Sequence, residues 1–166
     1  MYHIVYNRVH GMATSVLRMT NVYGPRMRIK DDLLTFMGWW FHQLLTGDDI
    51  QVFGDGAQIR DFNFVDDVVH ALLLCAAHPS AVGKIFNLGG PPVNLQGLAK
   101  LMIKINGSGN YVLVPFPENR KRIDIGDYHG DYSLIRNEIG WKPQISLEDG
   151  LTRSLEFYKL NKEHYL

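Results

Sequence analysis

Short apolar runs of strand length alternate with longer stretches of helical period along this chain, and that alternation restricts the fold to the α/β or α+β class, of which α/β is the expectation adopted. Residues 13–20, 50–53, 59–64, 84–88 and 111–116 read as strands. Helical patterns over 33–45, 68–77, 95–105, 133–139 and 148–158 separate or follow them. Residues 1–10 read as the tail of an amphipathic helix that Gly11 stops. Asp66 or Asp67, Asn94 and Ser146 are placed to cap helix starts, and Gly47, Gly107 and Gly140 to end helices. Gly54-Asp55-Gly56 suggests a tight hairpin between residues 50–53 and 59–64. Because the strands are short, the expected architecture is a small mixed sheet with packed helices, not a full doubly wound domain.

Composition narrows the classes of function. The chain has 166 residues, 46% hydrophobic, with Lys+Arg 17 against Asp+Glu 17 and so no net charge. No basic stripe points to nucleic acid, and no basic amphipathic helix points to a membrane surface. No apolar run approaches the roughly 20 residues that span a bilayer, and no apolar leader opens the chain. The single cysteine, Cys75, lies in the run Ala71-Leu72-Leu73-Leu74-Cys75-Ala76-Ala77. It cannot form an internal disulfide, which fits a reducing, cytoplasmic setting. A small buried core residue is favoured over a nucleophile at that position.

Thr20-Asn21-Val22-Tyr23-Gly24-Pro25-Arg26 closes the first strand and reads as a loop at its carboxyl end, where open α/β sheets bind ligands. Elsewhere the nucleotide signatures are missing. There is no phosphate-binding loop and no glycine triplet at dinucleotide spacing, and prolines follow Gly89-Gly90. Tyr158-x-x-x-Lys162 matches a known catalytic pair, but it sits at the end of the last helix with no cofactor strand beside it, so it reads as coincidence. No metal site is expected: the histidines are scattered, and Asp124, Asp127 and Asp131 lack calcium-loop spacing and read as solvated loop acids. Arg60 precedes Phe62 and Phe64, where a guanidinium needs a partner. Its planar fork suits a phosphate, and an internal ion pair with Asp61 or Asp66 is equally open. Arg120-Lys121-Arg122 is a second basic cluster. Asn87, before Gly89-Gly90, could serve a ligand or the turn.

Arg18-Met-Thr-Asn21-Val-Tyr-Gly-Pro25, Gln51-Val-Phe-Gly54-Asp-Gly56, Gln58-Ile-Arg60-Asp61-Phe, Val65-Asp66-Asp67-Val68, Phe86-Asn87-Leu-Gly89-Gly90 and Gly140-Trp141-Lys-Pro143 occur in that order. Together they resemble the extended short-chain dehydrogenase/reductase family of NAD-dependent nucleotide-sugar epimerases and dehydratases, over essentially the whole chain. The resemblance implies a Rossmann-type fold and a UDP- or dTDP-linked sugar as partner. It places the Gly-rich NAD turn and the catalytic Tyr-x-x-x-Lys and Ser/Thr ahead of residue 1, so no catalytic residue is assigned here. Residues 1–24 would be the remnant of the cofactor-binding domain and 25–166 the substrate-binding domain. By motif, Asn21 would hold the diphosphate and Arg60 a phosphate. Gln51, Val52 and Phe53 would line the nucleobase or ribose pocket, and Asn87 would lie near the nucleotide. Arg120 or Arg122 would close over the diphosphate, while Thr20 and Tyr23 would border the nicotinamide. NAD would belong to the complete enzyme and is not expected to bind this chain alone. Apolar surface around Val5, Val16 and Leu17 predicts self-association. A stand-alone, non-catalytic nucleotide-sugar-binding module and a self-associating remnant remain open alternatives.

Overall fold

The computed structural model describes residues 2–31 and 35–166. In chain order the elements are α1 (Tyr2–His10), β1 (Val16–Arg18), β2 (Asn21–Tyr23), α2 (Phe36–Thr46), β3 (Ile50–Phe53), β4 (Ile59–Arg60), β5 (Phe62–Phe64), α3 (Val65–Ala77), β6 (Ile85–Asn87), β7 (Val93–Asn94), α4 (Leu95–Asn106), β8 (Tyr111–Val114), α5 (Glu118–Lys121), α6 (Ser133–Ile139), α7 (Leu147–Leu160) and α8 (Lys162–Tyr165). This is the mixed α/β class expected, with short ladders in place of one broad sheet. The expected helix over 33–45 is α2; its first two residues, Leu33 and Leu34, lie outside the described residues. The chain forms two compact units, each assembled from separated stretches. The first takes the residues up to Val22, then Asp61–Pro91 and His129–Ile145; the second takes Tyr23–Arg60, Pro92–Tyr128 and Ser146–Leu166.

In the first unit β1 and β6 pair in parallel, with Leu17 opposite Phe86 and Arg18 opposite Asn87. The core beside them gathers Val68, Ala71 and Cys75 of α3 with Phe86, Leu88, Ile135, Ile139 and Trp141. The Trp141 indole N–H donates to the Asp67 carbonyl at 2.9 Å, which lets a large amphipathic ring be fully buried. Two expectations are corrected here. Asn21-Val22-Tyr23 is a strand, β2, which pairs with β5, because the apolar run continues past a break at Met19-Thr20. Asp66 and Asp67 do not cap α3. The helix starts at Val65 after Phe64, and the Asp67 carboxylate instead accepts the backbone N–H groups of Gln144 and Ile145, both at 3.0 Å.

In the second unit α2, α4 and α7 pack together, and α2 and α4 lie on β3. Capping follows the sequence signals. Thr35 accepts from Gly38 N, Asn94 from Gly97 N and Ser146 from Asp149 N, and Gly47 and Gly107 close α2 and α4 in the left-handed conformation. Period-two alternation in β3 buries Ile50 and Val52 and exposes Gln51. Burying each such aliphatic side chain contributes about 1.5–3 kcal/mol. The expected hairpin at Gly54-Asp55-Gly56 does not form. β3 pairs in parallel with β8, Ile50 opposite Tyr111, and β4 pairs antiparallel with β7, Arg60 opposite Val93. The turn itself docks on α4, where Gly56 O accepts Gln96 N at 3.0 Å. The expected single strand over 59–64 is divided at Asp61 into β4 and β5.

Candidate functional site

In the first unit, the loop ends after β1 and β6 and the residues of β5 form one polar network. Asn21 Nδ2 donates to the Asp61 carbonyl at 3.0 Å, and Thr20 Oγ1 to Asn63 Oδ1 at 3.1 Å. Asn63 Nδ2 in turn donates to Gly89 O at 3.0 Å. Asp61 is fully buried, and its Oδ2 accepts from Gly90 N at 3.1 Å and Gly130 N at 3.0 Å. The backbones it ties together touch. A Cβ on Gly89 would stand 2.0 Å from Gly130 O, and one on Gly130 would stand 2.1 Å from Leu88 O. Glycine is therefore required at both places by close approach. Asp61 Oδ1 is buried and has no partner among the described residues. Asn87 ends β6 beside this network, its backbone opposite Arg18.

This network also decides what Gly89-Gly90 can do. With Gly90 N committed to Asp61 and Gly89 packed on Gly130, the turn is braced internally and is not an open phosphate cradle. That turn therefore does not fit the pyrophosphate of a dinucleotide. Cys75 lines a cavity of about 330 Å³ with His3, Thr14, Ser15 and Leu72. Burial pushes its thiol up, with the Ser15 hydroxyl partly offsetting this, which disfavours the thiolate a nucleophile needs.

In the second unit the central residue is Arg60, whose side chain is about nine-tenths buried. The antiparallel β4–β7 pair fixes its backbone. One terminal nitrogen donates to the Ile59 carbonyl at 2.8 Å and to the Gly126 carbonyl, and the other meets Asp124 Oδ1 at 3.3 Å. The partner of Arg60 is thus Asp124. Neither Asp61 nor Asp66 serves: Asp61 is turned to the amides of Gly90 and Gly130, and Asp66 is exposed. Asp124 and Asp127 lie in an exposed loop, as expected, and are also hydrogen-bonded. Both oxygens of Asp124 accept from Gln58 Nε2, at 2.8 and 2.7 Å, and Asp127 Oδ1 accepts Ile59 N at 2.9 Å. Among the described residues no group of three or more His, Cys, Asp or Glu side chains could hold a metal ion.

The other sequence-nominated residues fall in different environments. Gln51 presents an exposed side chain, while its N–H donates to Gln43 Oε1 and its carbonyl accepts from the Trp40 indole. Val52 is wholly buried, so its side chain belongs to the core. Phe53 packs against Phe116 at 5.5 Å between ring centroids, and the Arg120 guanidinium lies 5.3 Å over the Phe53 ring. Arg122 is exposed. Tyr23 is buried, with its hydroxyl donating to Leu147 O at 3.4 Å. In the Tyr158-x-x-x-Lys162 pair the tyrosine is structural. Tyr158 is fully buried; its hydroxyl accepts Met27 N at 3.0 Å and donates to Gly24 O at 2.8 Å, and burial drives its phenol far above the usual tyrosine range. Sequence reading missed Asp124 as the partner of Arg60 and Gly130 as the close neighbour of Gly89. Both contacts join residues more than forty positions apart, and no local signal marks them.

Residues 2–89 match the NAD dependent epimerase/dehydratase family, and this chain belongs to it. A dTDP-glucose 4,6-dehydratase of Actinoplanes sp. is 32% identical over 96% of this chain and 48% of its own length. A UDP-glucuronate 4-epimerase of Thermodesulfobacterium geofontis is 29% identical over 95% of this chain and 47% of its own. The crystal structure of a UDP-glucose 4-epimerase with UDP-glucose from Thermotoga maritima superposes with a TM-score of 0.87 at 31% identity, covering 98% of this chain and 51% of that one. The chain thus spans about half the length of the relatives it matches. Among the described residues no helix is long and apolar enough to cross a membrane.

Proposed function

We propose that this chain is the nucleotide-sugar-binding portion of an NAD-dependent sugar-nucleotide epimerase or dehydratase, and that it recognises a UDP- or dTDP-linked sugar through its diphosphate. The observation that carries this reading is Arg60: a guanidinium nine-tenths buried, in a family motif, with its backbone held by the antiparallel pairing of β4 with β7. A rigidly held buried guanidinium is well suited to a charge-assisted, forked contact with a phosphate. In the same unit Gln51 and Phe53 would face the base or ribose, with Val52 contributing its backbone, and Arg120 or Arg122 would approach the diphosphate. By family motif Asn21 is a candidate for the diphosphate, Asn87 for the nucleotide, and Thr20 and Tyr23 for the nicotinamide side. Residues 1–24 are assigned to the cofactor-binding domain and substrate recognition to residues 25–166.

The NAD of the complete enzyme would supply hydride acceptance and return. This chain's part is to bind and orient the sugar nucleotide. By itself it is assigned no turnover and no NAD binding, since the Gly89-Gly90 turn is committed internally. A cytoplasmic setting completes the reading. Titrating UDP-glucose, dTDP-glucose and NAD, observed by ligand NMR, tests it. Weak saturable binding of a sugar nucleotide that Arg60→Gln abolishes, with NAD silent, is the expected result. Binding that Arg60→Gln leaves intact would refute the role of Arg60, and micromolar NAD affinity would refute the account of the cofactor domain.

A further inference from the structure

The parallel pair of β3 and β8 has two unlike outer edges. Alternate residues of β3 bond to β8: Ile50 N donates to Asn110 O and Gly54 N to Val114 O, both at 2.9 Å. Gln51 therefore turns its backbone outward, and α2 meets both groups. Gln43 Oε1 accepts Gln51 N at 3.3 Å, and the Trp40 indole donates to Gln51 O at 3.1 Å. The outer edge of β8 has no such cover. By the same alternation Val112 and Val114 bond to β3, while the N–H and C=O groups of Tyr111 and Leu113 point outward. Among the described residues none of those outward groups has a hydrogen-bond partner. Leu113 lies on the helix-covered face beside the buried Val52, yet it is 51% exposed, and Val112 lies on the open face beside Gln51. No residue from 107 to 117 is charged, so this edge lacks the charges that usually block strand pairing.

We propose that this edge is an interface between copies of the chain, β8 of one pairing antiparallel with β8 of a second about a two-fold axis at Val112. In that register Tyr111 of each copy stands opposite Leu113 of the other, and each such pair exchanges both of its outward hydrogen bonds. Every unused backbone group of the edge is then satisfied. The side chains agree with this. Tyr111, whose ring Lys100 of α4 covers at 6.0 Å, meets the half-exposed Leu113 on the helix-covered face, and Val112 meets Val112 on the open face. An uncharged edge meets its own copy with no like charges opposed. The pairing also closes on itself. Gln43 and Trp40 already occupy the far edge of each β3, and Pro115 and Pro117 have no N–H with which to lengthen the ladder, so the product is a dimer and not a fibre. The strand has only 4 residues, far less than a permanent interface uses, so pairing depends on chain concentration.

The test is residue-resolved amide exchange, from micromolar to millimolar chain, of the unmodified protein, of Val112→Lys, of Val112→Glu and of an equal mixture of the two variants. In the unmodified chain exchange at Tyr111 and Leu113 is expected to slow by at least about tenfold across that range, the scale of one net hydrogen bond. The amides of Val112 and Val114, bonded to β3 in either state, are expected to hold one rate and so to report an intact ladder. Substitution at Val112 falls on the open face, and two-fold pairing sets like charges directly opposite. Each variant alone should therefore lose the slowing, and the mixture, Lys against Glu, should regain it. A single rate at Tyr111 and Leu113 at every concentration of the unmodified chain overturns the interface, whatever the variants do. Slowing that either variant keeps, or that the mixture fails to regain while Val114 stays protected, overturns the two-fold register. Because the readout is by residue, association through the apolar surface of the first unit leaves it unmoved.

Discussion

Tyr158 shows how one hydroxyl can hold a turn. The backbone from Gly24 to Met27 includes Arg26 at φ 68°, a left-handed conformation that costs a residue with a Cβ about 1 kcal/mol or more. The Tyr158 hydroxyl accepts Met27 N and donates to Gly24 O, bracketing that residue, and Arg26 lies 5.9 Å over Phe157. Tyr158→Phe should therefore cost about 1–3 kcal/mol in urea denaturation, since it strands a buried donor and acceptor. The pH dependence has a definite sign. Burial raises the phenol, so the folded state holds its proton more tightly than the unfolded one. Stability from this residue is complete below the ordinary tyrosine value of about 10 and falls as pH rises beyond it. The raised Cys75 thiol adds loss of the same sign from a lower pH. The readout is thus the difference between the two proteins: Tyr158→Phe should lose stability less steeply above about pH 10. Parallel alkaline slopes would sink the prediction. In sequence, Tyr158 and Lys162 match a catalytic pair and read as coincidence; packing shows what the tyrosine does instead, holding the turn.

At the scale of elements, α3 separates what a helix needs from what the fold needs. Asp66 and Asp67 both sit in its first turn, where either could favour the helix dipole by a few tenths of a kcal/mol. Only Asp67 carries a tertiary load, accepting the N–H groups of Gln144 and Ile145. Asp67→Ala is expected to cost about 2–4 kcal/mol and Asp66→Ala less than about 1, measured by thermal or urea unfolding. Equal costs would show that helix capping, not anchoring of 144–145, is the role of the pair. Helix ends at Gly47, Asn94, Gly107 and Ser146 were legible because caps are local chemistry. Strand partners were not. Gly54-Asp55-Gly56 carries a sound hairpin signal, yet β3 pairs with β8, because pairing is set by which apolar faces meet and not by the turn alone.

At the scale of the molecule, the first unit exposes apolar side chains, Val5 among them as expected, whereas Val16 and Leu17 are half-buried and Leu17 packs on the core. Helix α1 buries no residue, Tyr2 is 80% and Val9 69% exposed, and Leu72 and Leu73 on α3 are 52% and 64% exposed. Such surfaces drive association. Light scattering is expected to give a mass above the monomer that falls on dilution, and Leu73→Glu should lower it; a monomer at every concentration would refute this.

The class of fold, most element positions and the family motifs were contained in the sequence, because period, caps and short motifs are read from neighbours along the chain. Tertiary structure alone decided the rest. It divided the chain into two non-contiguous units, set Asp61 to brace Gly90 and Gly130, and brought Asp124 onto Arg60. Each of these depends on contacts between residues far apart in sequence, whose partners no local pattern names. The sequence marked Arg60 as a guanidinium in need of an anion, and folding supplied one from the chain itself.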